Sequence, residues 1–434
     1  MTTPQDSRPD IPTERDHDIV LFGATGFVGR LTASHLARNA PDGVRIALAG
    51  RSEERLASVR AGLGASAAHW PLLVVDASDE AQMADLARST VVVATTVGPY
   101  VKYGKPLVAA CAAAGTHYCD LTGEVLFVRD MIDEHHEQAV ATGARIVNSC
   151  GFDSIPSDLG VWLTAQTVAE EGEGTLGETL LHVRSLRGGV SGGTIDSMRQ
   201  QAITASADPK ARRAAGDPYG LSPARDQEPP SRNRGPAPTN IVEKVAANIP
   251  ARQDPVTGRW VAPFFMASYN TRVVRRSNAL TDWSYGREFR YDEVMDTGRG
   301  PAGAVKAGLT TAVLLGIFGG MSLSPTRALL DKVLPAPGEG PSEESQAKGR
   351  FVMEIVTTTT TNAQFRTTVS APYDPGYSGT AIMLGQSALA LALDQDDLPE
   401  MAGVITPATG IGAPLIERLR AHDFVFDTQR HTSG

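Results

Sequence analysis

Along the first third of the chain, short apolar runs alternate with longer mixed stretches. The runs occupy residues 19–22, 45–49, 72–75, 91–94, 118–121 and 145–147, and between several of them lie stretches rich in Ala, Leu, Glu and Arg at 53–63, 80–87, 105–114 and 124–142. Continuous apolar runs of this length predict strands covered on both faces, and helices between them imply a parallel sheet. The expectation is α/β: a doubly wound Rossmann domain over residues 18–150. Beyond residue 150 the rhythm changes to fewer helices and Thr-rich strands, the clearest at 351–361 and 364–370 with a hairpin around Asn362 and Ala363. Residues 151–400 are therefore expected to form an α+β second domain, with 401–434 adding a helix at 413–420 and a strand at 424–426 that pack back on the domains.

Three stretches break the pattern. Residues 1–17 are polar, carry Pro4, Pro9 and Pro12, and lack an apolar core, so they are expected to be a disordered arm and not a secretory signal. Segments 208–239 and 335–348, dense in Pro with Arg, Asp or Gly, read as flexible loops. Residues 307–326 carry no charge, but Gly308, Gly316, Gly319, Gly320 and Pro325 interrupt them. That segment is open to three readings: a buried or lid helix, a surface that meets a membrane, lipid or partner, or a span.

The first strand runs into Gly23, Gly26 and Gly29, spaced G-x-x-G-x-x-G, and a helix follows. This order predicts a dinucleotide site. Gly23 permits a tight turn, Gly26 lets backbone approach a pyrophosphate, Gly29 lets the helix lie close to the sheet, and Thr25, Phe27 and Val28 present their backbone around the phosphates. The second strand ends at Gly50, Arg51 and Ser52 with no acidic residue to take a ribose hydroxyl. A guanidinium and a hydroxyl about twenty residues past the glycines suit a 2′-phosphate, so the coenzyme expected is NADPH. The alternative is an exposed arginine without a role.

The loops after the other strands hold the remaining candidates. Asp76 suits the adenine amino group or caps the helix near Asp79. Val97, Gly98 and Pro99 would lie against the nicotinamide ribose, with Tyr100, Lys102 and Tyr103 as the nearest acidic or cationic groups. No Tyr-x-x-x-Lys dyad is present, since Gly104 and Leu107 follow the two tyrosines by four. After the sixth strand, Phe152, Asp153 and Ser154 fall where nicotinamide should sit, able to hold its carboxamide or a substrate oxygen, or to cap a helix. Cys150 reads as a small buried thiol, and His135 and His136 as a solvated helix face; no metal is expected. Arg184, Arg187 and the glycines before Thr194 could hold an anionic group. Arg272, Arg275 and Arg276 are expected on the surface, usable by a phosphopantetheine-carrying partner.

Composition narrows the partners. A chain of 434 residues with 41% hydrophobic and 21% charged residues suits two ordinary globular domains, and a net charge of -9 argues against nucleic acid. Cys111, Cys119 and Cys150 show no metal or disulfide spacing, which points to the reducing cytoplasm.

Taken together, Gly23 to Gly29, Ala49-Gly50-Arg51, Val97-Gly98-Pro99-Tyr100, residues 114–124 and residues 151–158 resemble the saccharopine dehydrogenase-like oxidoreductases, and within them the mycobacterial-type trans-acting enoyl reductases. Residues 191–194, 275–280, 357–361, 406–408 and 415–419 extend the likeness over nearly the whole chain. The resemblance implies an NADPH-dependent reductase acting on the C=C bond of an acyl thioester, presented by a polyketide synthase carrier domain in lipid biosynthesis. Tyr100, Lys102 and Ser154 are the candidates for serving the enolate and its protonation. In this light residues 307–326 would be a greasy lid or a contact with the inner face of the plasma membrane, and assembly as a homo-oligomer is expected. Two other readings stand beside it: an imine reductase using Arg184, Arg187 and Arg199 for two carboxylates, and a non-catalytic nucleotide-bound scaffold for lipid or a partner.

Overall fold

The computed structural model describes residues 14–188, 192–230, 251–254, 257–322, 344 and 348–431. Most of the expected N-terminal arm, residues 231–239, nearly all of 335–348 and the end of the uncharged segment, 323–326, lie outside the described residues, as do Gly189, Val190 and Ser191. Of the described residues, those up to Ile155 together with Gly376–His422 form one compact unit, and the others form a second.

The first unit opens with β1 (His17–Phe22), α1 (Phe27–Asn39), β2 (Ile46–Gly50), α2 (Glu53–Gly62), β3 (Leu72–Val74) and α3 (Glu80–Arg88). It continues through β4 (Thr90–Thr95), α4 (Tyr100–Tyr103), α5 (Lys105–Ala114), β5 (His117–Cys119), α6 (Val125–Thr142) and β6 (Arg145–Val147). Ile19, Val20, Leu21, Ala47, Leu48, Val92 and Val93 have no exposed surface, as expected for strands whose two faces are both covered. β1 pairs in parallel with β2 on one side and β4 on the other, so the strand order turns back at this point.

The second unit follows with α7 (Ile155–Glu170), β7 (Leu176–Arg187), α8 (Gly192–Ala207), α9 (Pro209–Gly216), β8 (Arg252–Gln253), β9 (Trp260–Pro263) and α10 (Ala267–Leu280). Then come β10 (Arg290–Gly298), α11 (Gly300–Ser322), β11 (Arg350–Thr359) and β12 (Gln364–Ala371). The expected hairpin is present, with β11 antiparallel to β12 and Asn362 at the turn with φ 66°. β7 lies at the centre of a mixed sheet, antiparallel to β11 and parallel to β10. α7 lies on this sheet, with the Thr164 hydroxyl 2.6 Å from that of Thr367.

The chain then returns to the first unit with α12 (Thr380–Leu393), β13 (Gly403–Ile405), α13 (Pro407–Gly410) and α14 (Ala413–Arg420), and ends in the second with β14 (Val425–Arg430). β13 extends the parallel sheet beside β6, giving the order β13-β6-β5-β4-β1-β2-β3, and β14 pairs with β12 in the sheet β14-β12-β11-β7-β10-β9-β8. The expected boundaries at 150 and 400 are corrected accordingly. The return of the chain to the first unit was not legible because a three-residue strand such as β13 has too little pattern to announce a partner more than 250 residues away.

Candidate active site

At the end of β1 the chain turns through Gly23 with φ +88°, and the Gly23 amide donates to Ala49 O. A Cβ on Gly29 would stand 2.1 Å from the Gly23 carbonyl oxygen, so the start of α1 is pressed onto the turn that precedes it. Gly26 is the N-cap of α1 and supplies no side chain, and the first turn holds no acidic residue. The leading amides of the helix are thus open to an anion. Its neighbours differ. Ser52 caps α2 by accepting from Arg55 N, with Glu53 and Glu54 behind it, and Asp79 caps α3 by accepting from Ala81 and Gln82 N. The helix that should meet a pyrophosphate is the one of these three left uncapped.

The flanking loops complete this edge. Arg51 is exposed just past β2, beside the capping Ser52. Asp76, also exposed, accepts from Ser78 N and Oγ, and these bonds, with the charge of Arg51, hold its carboxyl below the ordinary range. The expectation that Asp76 caps α3 is corrected, because Asp79 does so. On the other side of the turn, Thr96 Oγ1 donates to Gly23 O at 3.1 Å, bringing the loop after β4 against the glycines. Val97, the cis peptide Gly98-Pro99 and Lys102 follow, with Gly98 and Lys102 exposed.

Two carboxylates hold the rest of the shelf together. Glu124 has no exposed surface and accepts the amides of Tyr100 at 2.9 Å and Val101 at 2.8 Å, fastening the start of α4. Asp120, equally buried, accepts from Tyr118 Oη, Thr122 N, Asn148 Nδ2 and Ser149 N, knotting the ends of β5 and β6. Burial pushes the Asp120 carboxyl up to about 6 against the pull of those donors. Sequence reasoning gave neither acid a role, although both lie in the stretch that carries the resemblance.

Of the three candidates for the chemical step, two are sealed. Tyr100 is 4% exposed, its hydroxyl donates to Thr95 O and accepts from Leu121 N, and burial raises its pKa well above 10. It ties two loops together and does not face a substrate. Ser154 is fully buried, with its amide donating to Gly151 O. Lys102 stays exposed on α4. Phe152 is buried with its amide donating to Thr380 Oγ1, while Asp153 keeps part of its surface. Cys150 is buried, as expected of a small core thiol.

Other expectations are corrected. His136 is not on a solvated face, since its Nδ1 accepts from Val404 N and so ties α6 to β13. Among the described residues no group of three His, Cys, Asp or Glu side chains is placed to hold a metal. In the second unit, Arg272, Arg275 and Arg276 are 6%, 5% and 2% exposed, so they are not a surface cluster. Arg275 pairs with Glu228 at 2.8 Å, Arg272 donates to Ala215, Asp217 and Ser268 carbonyls, and Arg276 donates to Leu221 O. Of these partners Ala215, Asp217, Leu221 and Glu228 lie in the segment expected to be a flexible loop, whose described part, 208–230, is held by these arginines and includes α9. Arg184 pairs with Asp296 and Glu354, and Arg199 with Asp196. α11 leaves Val305, Leu309, Val313 and Leu315 from 51% to 71% exposed, so its described part is not a core helix.

A family model described as the saccharopine dehydrogenase NADP binding domain matches residues 19–147. A Mycobacterium tuberculosis protein provisionally named a trans-acting enoyl reductase is 49% identical over 424 residues, covering 97% of this chain and 99% of its own. Trans-acting enoyl reductases of Mycobacterium bovis and Mycobacterium leprae are each 47% identical, covering 96% of this chain and 99% of theirs. Among solved structures, apo saccharopine dehydrogenase (L-Glu forming) from Saccharomyces cerevisiae superposes with a TM-score of 0.52 over 96% of this chain and 100% of that one, at 13% identity, a likeness of fold alone.

Proposed function

The chain belongs to the trans-acting enoyl reductases, a saccharopine dehydrogenase-like family of NADP-dependent oxidoreductases, and from this we propose that it uses NADPH to reduce the C=C bond of an enoyl thioester presented by a polyketide synthase carrier domain. The observation that carries the reading is the near-full-length likeness to chains named for that activity. The geometry supports it. The uncapped start of α1 offers amides to the diphosphate, and Arg51 stands exposed at the end of β2, where it can meet the 2′-phosphate. When bound, NADPH supplies a hydride to the β-carbon. Lys102 is assigned to the thioester oxygen, where its ammonium would stabilise the charge that develops there. Tyr100, Glu124 and Asp120 hold the loops that place it.

Reduction of an imine bearing two carboxylates is disfavoured by the second unit. Of Arg184, Arg187 and Arg199, the residues such a substrate would need, Arg184 and Arg199 already neutralise acids of their own chain, which leaves the exposed Arg187 alone to meet two carboxylates. The three buried free cysteines agree with a cytoplasmic setting.

Single-turnover oxidation of NADPH tests the proposal. Purified protein should consume one equivalent with crotonyl-pantetheine and none with an imine formed from lysine and 2-oxoglutarate. Turnover of the imine alone would reverse the assignment, and consumption of neither would favour the non-catalytic scaffold.

A further inference from the structure

Asp153 occupies the turn between β6 and α7, at the carboxyl edge of the parallel sheet where an open α/β fold places its ligand. Its chain neighbours Gly151, Phe152 and Ser154 are buried, yet Asp153 retains partial exposure. Among the described residues its carboxyl has no hydrogen-bond or ion-pair partner, and no amide of α7 donates to it. It is not a helix cap.

The contrast with its surroundings is specific. Asp120, at the end of β5, is occupied by four donors, and Glu124, ahead of α6, by the amides of α4. The Tyr100 hydroxyl is engaged, Cys150 is buried, and α12 approaches this turn through the uncharged Thr380. No neighbouring charge acts on Asp153; burial alone pushes its carboxyl up to about 7. Among the described acids at the ends of β5 and β6, Asp153 is thus the one that is neither paired nor fully enclosed.

We propose that Asp153 is the acid that delivers the proton to the α-carbon of the substrate, an assignment that rests on the enoyl-thioester reading above. As hydride arrives at the β-carbon, the electron pair of the C=C bond moves onto the thioester as an enolate. Collapse of the enolate forms the Cα–H bond while the O–H bond of Asp153 breaks, leaving a saturated thioester and a carboxylate that regains its proton from water. A donor with a pKa near the working pH suits this step, being protonated often enough to act and acidic enough to give the proton up.

The test uses the full chain, with crotonyl-pantetheine as substrate and Asp153→Asn as the variant. Because the protonated form is required, wild-type kcat/KM should be level below about pH 7 and fall roughly tenfold per pH unit above it. The variant should lose that limb and about 10²- to 10⁴-fold in kcat, while its Kd for NADPH stays within about twofold. Independently of turnover, carboxyl-carbon NMR of cofactor-free wild-type protein should show one aspartate titrating near 7 that disappears in the variant. Should Asp153→Asn fail to fold, Asp153→Ser replaces it, and the wild-type titration and pH profile still decide. A variant that keeps the rate within about threefold and the same alkaline limb overturns the assignment alone. Wild-type protein that reduces no enoyl thioester overturns both the assignment and the function it rests on.

Discussion

The paired arginines of the second unit and the carboxyl edge of the parallel sheet in the first use their charged groups in opposite ways. In the second, Arg184, Arg199 and Arg275 each meet a carboxylate of the same chain, and Arg272 and Arg276 are used up on backbone carbonyls. In the first, the carboxyl edge of the sheet leaves the start of α1 uncapped, Arg51 and Lys102 exposed and Asp153 without a partner. A basic or acidic residue marks a binding edge only when the fold leaves it unspent, and the sequence shows the residue but not the spending.

The sharpest way to break this contrast is to cut a spent arginine. Arg275→Ala would leave Glu228 buried without its cation and strip the stacking of the guanidinium over Tyr219 and Phe289, whose ring centroids lie 5.0 and 5.7 Å away. The expected loss is about 3–5 kcal/mol of folding free energy, read from urea denaturation. A loss below about 1 kcal/mol would mean that the cluster is solvent-facing after all. Gly29→Ala should cost about 3 kcal/mol, because the added methyl would collide with the Gly23 carbonyl, and the altered turn should also abolish NADPH binding in calorimetry. Unchanged affinity would show that the close approach of α1 is not needed for the coenzyme.

These cases also show what was legible beforehand. β1, β2 and β4 announced themselves because each is a largely continuous apolar run in a sheet covered on both faces, and the glycine turn because its spacing reflects backbone needs that are local. β13 did not, since its pairing with Arg145–Val147 is a fact of tertiary structure. The arginines of α10 were read as surface because charge is normally solvated. Their carbonyl and carboxylate partners come from a Pro- and Arg-rich stretch that itself resembled a loop, and neither half of that arrangement is visible without the other. Tyr100 fails as an acid for a similar reason: its position was right, but the two hydrogen bonds that occupy its hydroxyl come from Thr95 and Leu121.

On the unspent side, Arg51→Ala should weaken NADPH binding by roughly 2 kcal/mol and leave NADH nearly unchanged, because only the 2′-phosphate would lose its partner. Titration of both coenzymes into the variant reads the difference directly. Equal weakening of the two would place Arg51 away from that phosphate and leave the coenzyme preference to be sought elsewhere on the edge.

The smallest expected effect tests whether exposure follows the same logic for apolar groups. α11 buries Gly303, Ala307 and Thr311 at four-residue spacing, while Leu309 is 65% and Leu315 60% exposed on its other sides. Leu309→Gln and Leu315→Gln should therefore each change stability by less than about 0.5 kcal/mol, whereas a core leucine cut back to a small or polar side chain would cost about 2–5 kcal/mol. Thermal melts of the two variants distinguish these cases. A large loss would show that the helix is covered in the folded protein and that its apolar face, like the arginines of α10, is already spent.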